Sequence, residues 1–183
     1  MGDIRSAWEI AHEKADKLGG LSQEEKKRQK EERYSQVGKT LADKYLEREN
    51  TRYLETELKK YDGQDRGLIT HATVKRLTDA IDFRHAQALE KIKEGILVVS
   101  TNRAKDIVNQ IEQLFREYQE AEEGEKQKID KAGREILHQM RISGTAIGKI
   151  NIQANAEWQK SLNQLSRPFE EKLQLLKQEL LSL

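Results

Sequence analysis

Three of the four histidines follow a carboxylate by three positions: Glu9 and His12, Asp82 and His85, Glu135 and His138. On a helix that spacing puts both groups on neighbouring surface. Carboxylate-bridged di-iron four-helix bundles use Glu-x-x-His twice and complete the site with one Glu from each of two other helices. If this chain is such a metal-binding bundle, its ligands are Glu9, His12, Glu135 and His138. Bundle ligands point inward with the apolar stripe, so facing decides between readings. The stripe beside Glu135 and His138 centres on Ile136 and Met140, and the pair turns away from it. His12 lies at the edge of its stripe and Glu9 beyond that edge. Only His85 falls within an apolar face, with Asp82 at the rim, and His71 has no such carboxylate. Acid–histidine pairs arise readily on charged helices, so no metal and no cofactor are expected.

Other chemistries fail on their spacing. Gly38-Lys39-Thr40 has the tail of a phosphate-binding loop, but Arg33 stands where the first glycine belongs. Gly144 and Gly148 are separated by three residues instead of four, and Ile150 replaces the Ser or Thr. Met1-Gly2 with Ser6 fits an N-myristoylation pattern, which is short and common by chance. Tyr45, Tyr53 and Tyr61 recur every eight residues. A stacking ladder for single strands needs interleaved positive charge, and the residues between these tyrosines are mixed in sign.

Composition narrows the classes further. The 183 residues include no cysteine, which excludes disulfides, thiolate metal sites and thiol nucleophiles. Lys plus Arg number 33 against 32 for Asp plus Glu, a net charge of +1. Duplex binding relies on many clustered cations, so a nucleic-acid partner is not expected. The longest apolar run, Ile96-Leu97-Val98-Val99, falls far short of the roughly 20 residues of a membrane span. No basic region followed by an apolar core opens the chain, so a cytoplasmic protein without a membrane segment is expected. Hydrophobic residues make up 36%, low beside the usual about 45–50% counted with glycine. With a single proline, that composition predicts long helices around a thin core.

The pattern of apolar residues places the helices. Ile4, Ala7, Trp8, Ala11, Ala15 and Leu18 share one face of a first helix, ended by Gly19-Gly20. Ser22 and Glu25 form a capping box ahead of residues 24–33, which contain no apolar side chain and read as a solvated arm. Tyr34, Val37, Leu41 and Tyr45 then make a face, and Leu54, Leu58 and Tyr61 make another after a phase shift at Asn50-Thr51. Residues 63–67 read as a loop. Thr70 or Thr73 caps a helix whose face is Val74, Leu77, Ile81, Ala88 and Ile92, interrupted at Gly95. Ser100 or Thr101 starts a helix with Ala104, Ile107, Val108, Ile111, Leu114, Phe115 and Tyr118 on its stripe. A junction is expected at Gly124, followed by a helix carrying Ile129, Ala132, Gly133, Ile136 and Met140. Residues 143–155 read as a long loop, a candidate recognition segment through Ile147, Ile150 and Ile152.

The last helix carries the clearest stripe. Trp158, Leu162, Leu165, Phe169, Leu173, Leu176, Leu180 and Leu183 follow steps of three and four, in phase across Pro168. The reading is therefore an all-α, elongated helical bundle of antiparallel coiled-coil hairpins, with five or six helices. Its regions are 1–62 (N-terminal helices with the charged arm), 63–142 (central helices), 143–155 (loop) and 156–183 (C-terminal coiled-coil helix). The expected function is non-enzymatic: a helical interaction or structural protein, self-associating or a subunit of a larger assembly. Its partner interface would be Trp158, Leu162, Leu165, Phe169, Leu173, Leu176 and Leu180. The alternatives are the metal-binding bundle above and a nucleic-acid-associated protein using the Lys26–Arg33 arm.

Overall fold

A computed structural model describes residues 22–100, 103–142, 148, 150–151 and 155–183. The first expected helix, the acylation pattern, Glu9 and His12 lie outside them. Among the described residues the protein is all-α: α1 Gln23–Arg48, α2 Thr51–Leu58, α3 Gly63–Asp79, α4 Leu89–Ser100, α5 Lys105–Gln139 and α6 Ala156–Leu181, with a 3-10 turn at Phe83–Ala88. No strand occurs among them.

α1 starts at its capping box: Ser22 Oγ accepts from the Glu25 amide (3.1 Å), and Glu25 accepts from the Ser22 amide (2.7 Å). Its first turns are exposed, as the all-polar sequence requires. Arg28 pairs with Glu32, and Lys30 reaches Asp65 of α3 at 2.6 Å. Buried Gly38, Leu41, Ala42 and Tyr45 follow. The phase shift at residue 50 is a break: Glu49 is left-handed, φ 54°, and Asn50 caps α2 by accepting from the Tyr53 amide.

α1 lies most closely on α3. A Cβ at Gly38 would fall 2.6 Å from Ala72 Cβ and 2.6 Å from the Ile69 carbonyl oxygen. Only glycine admits that approach. Thr73, fully buried beneath it, has its hydroxyl 2.7 Å from the Ile69 carbonyl and 3.2 Å from that of Gly38. Buried Thr78 Oγ1 finds no partner among the described residues, a state that costs about 1–3 kcal/mol.

Six expectations are corrected. Residues 63–67 are the first turn of α3, where Asp65 complements the helix N-terminus and is held by Lys30 and by the Tyr34 hydroxyl at 2.7 Å. The helix expected through Ala88 stops at Asp79. Asp82 turns back to accept from the Arg84 amide, and Lys177 takes the Ile81 carbonyl at 2.6 Å, so the chain enters a 3-10 turn there. His85 is exposed in that turn instead of sitting on an apolar face. Gly95 lies within α4, where a Cβ would come 2.5 Å from the Tyr45 ring. Gly124 marks no junction: α5 runs unbroken for 35 residues, about 50 Å at 1.5 Å per residue. One helical glycine costs only about 1 kcal/mol relative to alanine, and Glu122–Lys126 at 3.0 Å spans the site. α5 also begins later than expected, at Lys105.

The core gathers Leu41, Tyr45, Leu54, Ile69, Leu77, Ile92, Ile96, Ile111, Leu114, Phe115, Leu173, Leu176 and Leu180, among others. The Tyr45 hydroxyl donates to the Lys91 carbonyl (2.8 Å), and burial pushes its pKa up to about 12. Lys93 joins α4 to α5 through Glu112 at 2.6 Å. Burial acts to lower its pKa, but Glu112 and Glu90 outweigh that and leave it raised.

The α1–α3 approach is testable. Gly38→Ala should lower stability by about 1–3 kcal/mol, read from urea unfolding, because overpacking forces the backbones apart. An unchanged midpoint would show that the two helices are not held this closely.

Candidate functional site

The partner helix foreseen from the sequence is α6. Asn155 starts it, with Oδ1 accepting from the Glu157 (2.9 Å) and Trp158 (3.3 Å) amides. The helix passes through Pro168 without a break. It pairs with α5, and residue numbers fall along α6 as they rise along α5. Lys172 meets Glu117 (3.8 Å), Phe169 meets Tyr118 (ring centroids 5.4 Å) and Ser161 donates to Glu125 (2.5 Å). Near the far end, a Cβ on Gly133 would lie 3.1 Å from the Trp158 ring. α5 and α6 are therefore an antiparallel hairpin.

The stripe of α6 divides along its length. Leu173, Leu176 and Leu180 are buried in the chain's own core. Trp158, Leu162, Leu165 and Phe169 are half-buried, and α6 has no buried residue before Leu173 among those described. α5 divides at the matching level. Ile107, Val108, Ile111, Leu114 and Phe115 are buried, and beyond Phe115 only Ile129 and Gly133 are. The far halves of the two helices form an arm that leaves the body with little core of its own.

The arm ends in exposed apolar side chains. Ile136 is 50% exposed, Met140 64% and Ile142 43%. Periodicity places Ile136 and Met140 on the core face, and the structure corrects this: Ile150 and Trp158 seat against Gly133, and Ile136 and Met140 are left exposed. Charged neighbours keep the arm helical through pairs along α5, including Arg134–Asp130 at 2.6 Å and Lys128–Glu125 at 3.3 Å. Glu125 is held below the usual carboxylate range, first by the Ser161 hydroxyl and then by Lys128.

At the base of the arm lies a cleft of about 820 Å³ bordered by Asp79, Asp82, Phe83, Tyr118, Glu170 and Lys177. Phe83 stacks on Phe115 (4.5 Å) and Tyr118 (4.4 Å), fixing the 3-10 turn against α5. Burial holds the Lys177 ammonium below the ordinary lysine range, against the pull of Asp79 and Asp82.

Glu135 and His138 are exposed near the arm's end. Their supposed co-ligands Glu9 and His12 lie outside the described residues. Among the described residues no group of three or more His, Asp or Glu side chains is placed to hold a metal ion. None of the described helices is long and apolar enough to cross a membrane.

These features define an all-α helical bundle with a two-helix arm. Residues 55–182 match the model of a family of unknown function, DUF6657, and the chain belongs to that family. No curated protein and no solved structure matches it. The matched span holds α3 to α6 entire and begins within α2, so α1 precedes it.

The division of the stripe predicts unequal costs. Leu176→Ala should destabilise by about 2–5 kcal/mol, whereas Leu175→Ala, at a side chain 65% exposed, should stay within about 0.5 kcal/mol. Denaturant titration distinguishes them, and equal losses would contradict the placement of the stripe.

Proposed function

We propose that this protein is a non-enzymatic helical interaction protein, cytoplasmic and self-associating, that uses the α5–α6 arm as its partner surface. The observation that carries the reading is the apolar end of the arm, where Ile136, Met140 and Ile142 stand open to solvent. Fully burying an Ile or Met side chain is worth about 1.5–3 kcal/mol, so covering this end offers an association energy that the monomer forgoes. The half-buried Trp158, Leu162 and Leu165 extend the same arm. This narrows the partner face from the whole stripe to its far half, because the near half closes the chain's own core.

A net charge of +1 supports a second copy as partner, since near-neutral chains repel one another little. Two arms that each lack one side of their packing complete each other as a helical bundle. Service as a subunit of a larger assembly uses the same surface with a different helix laid on it.

Light scattering after size exclusion tests this. The wild type should exceed the 21.2 kDa of one chain, with a mass that rises with concentration. Ile136→Asp combined with Met140→Asp should return it to one chain while keeping its helical circular dichroism, because both residues are exposed. A variant that keeps the wild-type mass would reject the arm as the interface.

A further inference from the structure

A second surface lies apart from the arm. A cleft of about 440 Å³ opens where the first half of α3, the end of α4 and the end of α6 meet. Arg66, Thr70 and His71 reach it from one side of α3, and Arg103 from the α4–α5 connection. Among the described residues no Asp or Glu side chain lines it. That is unusual in a chain whose charges balance overall. Lys30, Arg76, Lys91, Lys93 and Arg134 each have a carboxylate within 3 Å. Arg66, His71 and Arg103 form no ion pair among the described residues.

The back of the cleft is apolar. Val74, Val99 and Leu180 line it from three different helices, and Leu183 stands 59% exposed at its edge. Ser100 directs its hydroxyl hydrogen to the Ile96 carbonyl at 2.7 Å, which leaves Thr70 as the hydroxyl donor. Guanidinium groups present paired N–H donors that match the oxygens of a carboxylate or a phosphate. Apolar walls that exclude water strengthen such a contact. The volume falls within the range of small-molecule sites, about 300–1,000 Å³. A nucleic acid fits poorly, because two guanidinium groups backed by an apolar wall give no track for successive phosphates.

We propose that this cleft binds an anionic amphiphile. Arg66 and Arg103 hold one carboxylate or phosphate head, with His71 and Thr70 beside it. A medium-length apolar tail lies on Val74, Val99 and Leu180. The two heads share one chemistry, so the test compares them directly.

The full-length chain is titrated with octanoate, octyl phosphate, octanol and inorganic phosphate. Affinity is read by calorimetry, and the site by methyl NMR of Val74, Val99 and Leu180. Octanoate or octyl phosphate should bind one per chain and move those methyl signals, and the tighter of the two identifies the head. Octanol, which lacks the charged head, and inorganic phosphate, which lacks the apolar tail, should each bind at least about tenfold more weakly. Arg66→Gln with Arg103→Gln should weaken the amphiphile at least about tenfold. Both arginines are exposed, so the melting temperature should hold and serve as the control for folding. Octanol binding as tightly as octanoate would reduce the cleft to an apolar hole. Inorganic phosphate binding as tightly would reduce it to an adventitious ion site. No binding of any probe up to about 10 mM, or an unaltered affinity in the double variant, would overturn the proposal.

Discussion

The apolar side chains of this protein fill one end of it. From Leu41 to Phe115 each helix contributes to a single cluster, and Leu173, Leu176 and Leu180 close that cluster from the other end of the chain. Past Phe115 on α5, and before Leu173 on α6, two buried residues remain. Helix hydrogen bonds are local, so the two helices continue where the core has ended. What persists there is a hairpin with little core, whose charged pairs run mostly along α5 itself. The exposure of Ile136 and Met140 follows from that imbalance, and so does the proposed use of the arm.

The body owes its close packing to a few specific fits. Gly38 removes a side chain where α1 meets α3, and Gly95 removes one where α4 meets the ring of Tyr45. Lys93 and Lys177 then link separate elements, the first to Glu112 and the second to the Ile81 carbonyl. α1 precedes the span matched by the family model, yet it supplies Leu41, Ala42 and Tyr45 to the common core. The stability of that span in this chain therefore depends on a helix outside it.

Much of this architecture was legible in the residues. The Ser22–Glu25 capping box, the polar start of α1, the break at Asn50 and the stripe in phase across Pro168 are local signals, and each appears where it was read. Local signals erred where a distant residue decided the outcome. Lys30 and Tyr34 stabilise the first turn of α3 through Asp65, and Lys177 helps to end the helix expected to run past Ile81. Gly95 and Gly124 were read as interruptions on propensity alone, whereas packing on Tyr45 and pairing along α5 keep both inside helices. Periodicity located the stripe of α6 without revealing that it serves two purposes. The cleft holding Arg66, His71 and Arg103 left no sequence signal, because it is assembled from three separate segments, 63–74, 99–104 and 180–183.

The central claim is that a well-packed body carries a thinly packed arm. Native-state hydrogen exchange, measured residue by residue at a concentration where the chain is monomeric, tests it most directly. The account predicts that amides of α3, α4 and residues 107–115 exchange only through global unfolding. Those of residues 121–139 and 156–165 should open at clearly lower free energy. Uniform protection along the whole of α5 would contradict it, since the arm would then be as firmly built as the body.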